Sequence, residues 1–154
     1  MINPDYIAGY LFDAKQGVNE EPLYLLLKRS RDKYLPGIWQ VVTGKLNAGE
    51  AAQDALRREV LEETGLRISE VYNLDVTMFY EVSRKKIAFS ANFCASVSSD
   101  ESILLSNEHD AYEWCNLSKT LSLLAFPSQK QTLLFVHQFY VLQKPHHVNS
   151  HIFY

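Results

Sequence analysis

The sequence predicts an α/β protein folded as one domain, a sheet with helices packed on its faces. Three observations carry this. Short apolar runs bounded by turn signals recur along the chain, as strands require. A well-marked helix sits among them, between Asn47 and Gly65. Near the C-terminal end, apolar residues return at helical spacing. The 154 residues suit a single domain, and a 47% hydrophobic content supplies its core and excludes disorder.

In chain order, residues 6–12 read as a first strand, followed by a polar loop over 13–21 that carries Gly17 and Asn19. Pro22 to Leu27 form a continuous apolar run, the pattern of a strand buried on both faces. Four basic residues follow within positions 28–33, either a solvated turn or a patch that steers an anion. Pro36-Gly37 marks a turn, and residues 38–43 read as a strand ended by Gly44. Asn47 is placed to cap the central helix, with Glu50 as its reciprocal partner, and Gly65 suits the left-handed residue that closes it. Residues 71–82 and 87–97 read as a hairpin around Arg84-Lys85-Lys86. After a polar loop over 98–110, residues 111–115 form a short strand. From Ser128 onward, Leu133, Leu134, Val136, His137, Tyr140 and Val141 predict one amphipathic helix, with His137 packed on its face. The domain spans 1–145, and residues 146–154 read as a fraying tail.

Composition narrows the function. A net charge of −3 argues against a nucleic-acid backbone as partner. Neither a signal peptide nor an apolar run of membrane-spanning length is visible, and Cys94 and Cys115 do not form a CxxC pair. The expectation is a cytoplasmic protein that acts on a small molecule away from membranes. The five histidines, His109, His137, His146, His147 and His151, have no metal-ligand spacing.

Glu59, Glu62 and Glu63 stand at i, i+3 and i+4 of the central helix and share one face within roughly 100°. Like charges so placed cost roughly 0.2–0.5 kcal/mol per pair. A hard divalent cation reverses that sign, because Mg²⁺ takes carboxylate oxygens together with water and substrate phosphate.

Gly44, five residues, Glu50, seven residues, Arg58-Glu59-Val60, one residue, Glu62-Glu63, one residue and Gly65-Leu66 together resemble the Nudix box. The resemblance implies an α/β/α sandwich around a mixed sheet. It also implies hydrolysis of a nucleoside diphosphate linked to another group, with Mg²⁺ or Mn²⁺ as cofactor. Carried over, Glu59, Glu62 and Glu63 are metal-binding acids, and the Gly44 carbonyl is a further candidate ligand. Arg58 orients the glutamates, while Glu50 and Gly65 are structural. The segment Trp39-Gln40-Val41-Val42-Thr43-Gly44 and the segment running from Glu108-His109 to Tyr112 and Trp114 are similar to a branch of bacterial dihydroneopterin triphosphate and dATP pyrophosphohydrolases. That similarity makes Glu108 a candidate fourth acid, as metal ligand or general base. Arg29, Trp39 and Lys45 are candidates for binding substrate, although Trp39 and Trp114 read equally as core. The implied reaction releases pyrophosphate and a monophosphate from a nucleoside or pterin triphosphate. A dinucleoside polyphosphate or nucleotide sugar is the rival substrate, and a non-catalytic nucleotide-binding module the rival class.

Overall fold

A computed structural model describes residues 3–15 and 20–143, so Gly17, Asn19, the tail at 146–154 and its three histidines lie outside the described residues. The strands are Tyr6–Asp13 (β1), Leu23–Arg29 (β2), Trp39–Gln40 (β3), Val42–Lys45 (β4), Tyr72–Glu81 (β5), Lys86–Ser96 (β6) and His109–Cys115 (β7). The helices are Ala52–Thr64 (α1), Leu117–Leu123 (α2) and Pro127–Val136 (α3), the last continued by a π-helical turn over His137–Leu142. β1 lies parallel to β6 and the other pairings are antiparallel, so the sheet is mixed.

The feature that positions the site is a fork. β1 and β2 pair only at Phe12↔Tyr24 and Asp13↔Leu23, then separate. The chain from Trp39 to Lys45 fills the gap, β3 pairing with β2 through Leu27↔Gln40 and β4 pairing with β1 from Tyr6↔Lys45 to Gly9↔Val42. Strand periodicity then sorts the core into two layers. Ile7, Leu11, Leu25, Leu27, Val42 and Phe93 meet Ala55, Leu56 and Val60 of α1 on one face. Ala8, Tyr10, Phe12, Tyr24, Leu26 and Val41 meet Leu124, Leu133 and Val136 on the other. Burying a side chain such as Leu56 is worth about 1.5–3 kcal/mol. The helix also needs Gly9, where a Cβ would stand 2.5 Å from Leu56 Cδ1. This is the α/β/α sandwich around a mixed sheet that the resemblance implies.

Local boundaries differ from expectation in instructive ways. Residues 38–43 are not one strand. The ladder changes partner at Val41, and Gly44 lies inside β4 rather than ending it. Helix α1 starts at Ala52, not at Asn47. The Glu50 carboxylate does accept the Asn47 N–H at 2.9 Å, but within a separate turn, because Gly49 has φ +76° and breaks the helical path. Gly65 closes α1 as expected, with φ +74° and its N–H donating to the Leu61 carbonyl at 2.9 Å. His109 and Asp110 belong to β7 and not to the preceding loop, and α2 is an element the sequence left unmarked.

The C-terminal stripe is Gln129, Thr132, Leu133 and Val136, which leaves Leu134 46% exposed. The next buried position, Val141, lies five residues after Val136, and the wider π turn accommodates that step. His137 does not simply pack on its helix, since its Nδ1 is bonded to the Tyr24 hydroxyl at 2.6 Å. At the hairpin tip, Lys86 belongs to β6 and is ion-paired with Asp5. Among the described residues no helix is long and apolar enough to cross a membrane.

Candidate active site

β4 brings Gly44 opposite Ile7 on the face that α1 covers. A Cβ at Gly44 would fall 2.1 Å from Glu59 Cδ, so the glutamate rests on bare backbone. The glycine is required here for space, not for an unusual φ.

Arg58 ties the preceding loop to the helix. Its Nε and Nη2 donate to the two carboxylate oxygens of Glu50 at 2.8 and 2.9 Å, and Nη2 also donates to the Lys45 carbonyl at 2.9 Å. Nη1 reaches Glu59 Oε1 at 2.7 Å and Glu62 Oε2 at 3.4 Å. The planar guanidinium is suited to this fork, and a lysine could not reproduce it. The guanidinium, followed by the Asn47 N–H, holds the Glu50 carboxyl down at about 2. Glu50 is therefore fully engaged in the loop. Lys45 contributes its carbonyl to this hub, while its ammonium lies 5.9 Å over the Tyr6 ring.

Glu63 is 3% exposed, and its Oε2 has no hydrogen-bond partner. Burial, reinforced by Glu59 and Glu108, pushes its carboxyl up to about 9, with Arg29 and the Thr43 backbone N–H opposing. Burial likewise raises Glu59, against the lowering effect of Arg58. Glu62 stands at the open side, its side chain 57% exposed. Glu108 is exposed, and its carbonyl accepts the Ser30 N–H at 2.9 Å, which fixes its loop against the end of β2. The structure thus gathers Glu59, Glu63, Glu108 and Arg29 into one electrostatic cluster at the open end of the fork.

The donor chemistry fits a hard divalent cation: all oxygen, rich in carboxylates, with one buried acceptor left unpaired. Among the described residues, however, no three His, Cys, Asp or Glu side chains stand ready to ligate one ion together. Glu59 is engaged by Arg58 and Glu62 is turned to solvent.

Trp39 is not brought to the acids. It is half-buried in the opposite core layer, with the Lys28 ammonium 5.8 Å from its ring centre. Arg29 sits near the acids, its Nε donating to the Tyr34 carbonyl at 2.6 Å. Two polar residues that the sequence reading did not assign are buried here, Gln40 and His109, whose side-chain nitrogens are 3.4 Å apart. Burial and then Arg29 lower His109 to about 4, so its ring is neutral at physiological pH. His109 was visible beside Glu108, but its burial depends on the bulge between Lys28 and Arg29, which no local pattern encodes.

The NUDIX domain family model matches residues 4–146. The chain is 35% identical over 121 residues to an octanoyltransferase of Myxococcus xanthus, covering 77% of this chain and 33% of that protein. The chain therefore spans only a third of that relative's length. It is also 35% identical over 104 residues to the asymmetrical bis(5'-nucleosyl)-tetraphosphatase of Rattus norvegicus, covering 66% of this chain and 71% of the relative. In structure it resembles the E. coli dihydroneopterin triphosphate pyrophosphohydrolase, with a TM-score of 0.69 at 24% identity over 89% of this chain and 94% of that one. That likeness speaks for the fold. The family match runs over nearly the whole described chain, and the chain belongs to the NUDIX domain family.

Proposed function

We propose that the chain is a Mg²⁺-dependent pyrophosphohydrolase that cleaves a nucleoside or dihydroneopterin triphosphate to a monophosphate and pyrophosphate, with Mn²⁺ as a substitute ion. The observation that carries this is the unpaired, buried Oε2 of Glu63, set beside Glu59 and Glu108. A carboxylate so placed is costly without a cation and useful with one.

Glu59, Glu62 and Glu63 would hold the ion, with the Gly44 carbonyl as a further ligand and Glu108 as the fourth acid. When bound, the ion screens phosphate charge and acidifies water. The chain's own residues do the rest. Arg58 holds the glutamates in register, and Arg29 offers a cation to the phosphates at the end of β2. Glu108, exposed beside the cluster, takes the proton from the attacking water. Water oxygen bonds to phosphorus, the anhydride P–O bond breaks, and pyrophosphate leaves. Positioning and charge complementarity supply most of the rate in such reactions. Cys94 and Cys115 are both buried and unpaired, which supports a reducing, cytoplasmic setting.

A second reading is favoured by the rat tetraphosphatase relative: cleavage of a dinucleoside polyphosphate. A release assay with Mg²⁺ over nucleoside triphosphates, dihydroneopterin triphosphate, dinucleoside tetraphosphates and nucleotide sugars separates the two. Pyrophosphate from one triphosphate is the expected result. Selective cleavage of a dinucleoside tetraphosphate establishes the second reading. Silence from folded protein that still binds nucleotide makes the chain a binding module.

A further inference from the structure

β5 lies at one end of the sheet, and among the described residues no strand pairs with its outer edge. Its first part is covered, because the Tyr140 hydroxyl donates to the Asn73 carbonyl at 3.0 Å. From Val76 the strand opens to solvent. Val76, Met78 and Tyr80 lie on the α1 side of the sheet, beyond the helix, and Ile87 of β6 stands opposite Tyr80. All four are exposed, as is Val82 just past the strand end, at 75%. Together with Phe79 they present roughly 600 Å², most of the ~800 Å² that each partner gives to a stable interface. Proteins that keep an edge strand free commonly guard it with lysine, proline or a bulge. Between Val76 and Val82 there is neither lysine nor proline, and the bulge in β5 comes before Val76. The one charged side chain there, Glu81, is 13% exposed and paired with Arg84 at 3.5 Å.

The chemistry of the stretch says what covers it. About Phe79 it follows the same pattern in both directions: Val76 mirrors Val82, Thr77 mirrors Glu81 as a polar position, and Met78 mirrors Tyr80 as a large apolar one. A strand with that symmetry is complementary to itself when run antiparallel. A two-fold axis through Phe79 sets Val76 opposite Val82 and Met78 opposite Tyr80, twice over, as an isologous contact requires. The same register carries the basic tip of one hairpin, Arg84-Lys85, toward Asp75 of the other copy. It also explains a cavity of about 610 Å³ at the foot of this face, lined by Pro4, Ala52, Leu74, Val76 and Phe89. Val82 of the second copy arrives opposite Val76 and closes over it.

We propose that the outer edge of β5 binds a second copy of this chain, antiparallel and centred on Phe79, so that one sheet runs through both copies. The main-chain groups of the two edges satisfy each other, and the apolar side chains beyond α1 become the interface.

Sedimentation equilibrium of the full chain tests the dimer, and single cysteines test its register. Wild-type protein should reach twice the monomer mass in the micromolar range. Met78→Lys, which sets a charge against Tyr80 of the other copy, should weaken association by about tenfold or more while circular dichroism shows the fold kept. Val82→Lys repeats the test from outside the strand if the first variant does not fold. Cys94 and Cys115 are buried, so an introduced surface thiol reports alone. Under an added thiol oxidant, Phe79→Cys should link to itself, since facing Cβ atoms are about 4.5–5.5 Å apart. Val76→Cys should link to Val82→Cys when the two are mixed, and neither to itself. A monomeric wild type across the micromolar range overturns the inference, as do lysine variants that associate as tightly as wild type. Val76→Cys that links to itself, with Phe79→Cys that does not, overturns the register and with it the inference.

Discussion

Glu59 has nowhere to rest except on a residue without a side chain, and Gly44→Ala tests that contact. The new Cβ would stand 2.1 Å from Glu59 Cδ, so the glutamate must move. Because the displaced group is a flexible side chain, the expected outcome is a turnover lower by about 10²-fold with little change in melting temperature. Steady-state kinetics beside a thermal melt check it. Glu63 gives a pH test. Its folded value of about 9 stands above the ordinary 4.5, so unfolded chain loses this proton first. Its contribution to stability is complete below pH 4.5, declines as pH rises, and is gone once pH passes about 9. In chelator, the melting temperature of Glu63→Gln should gain on wild type across that window; parallel curves would contradict the assigned burial. His109 has the opposite sign. Lowered from 6.5 to about 4, it costs stability as pH falls through that interval, and His109→Asn should flatten the acid limb of the melting curve.

At the scale of elements, the loop before α1 depends on one guanidinium. Arg58→Lys keeps the charge and loses the paired contacts to Glu50. The expected loss is about 1–2 kcal/mol, which lowers the melting temperature by about 2–8 °C, with a drop in turnover as Glu59 is released. Unchanged kinetics would show that the hub does not position the glutamate. The closing end of α1 was legible because Gly65 encodes its conformation locally. Its starting end was not, since Asn47 and Glu50 make the same bond in a turn that they would make in a cap. Likewise β3 and β4 read as one strand because the change of partner at Val41 is a tertiary event. The glutamate spacing on α1 was legible, yet the unequal fates of Glu62 and Glu63, one in solvent and one buried, are set by the sheet beneath.

For the whole molecule, the fork between β1 and β2 sets where chemistry can occur. It places backbone from Thr43 to Lys45 at the junction of both faces, with Glu59 resting on Gly44. Long-range pairing of this kind leaves no local signature, which is why the burial of Glu63, Gln40 and His109 stayed hidden in the sequence. The hairpin β5–β6 shows the same limit. Val76, Met78 and Tyr80 alternate as a core face would, yet are 61%, 69% and 61% exposed because α1 does not extend over them. If the clustered glutamates hold a divalent cation for anhydride cleavage, turnover requires both the ion and the carboxylates. The most direct test is pyrophosphate release from the preferred triphosphate, titrated with Mg²⁺, in wild type and Glu59→Gln. The predicted result is no wild-type turnover without the ion and a loss of about 10²- to 10⁴-fold in the variant, with folding intact. Turnover in chelator, or a variant as fast as wild type, would contradict it.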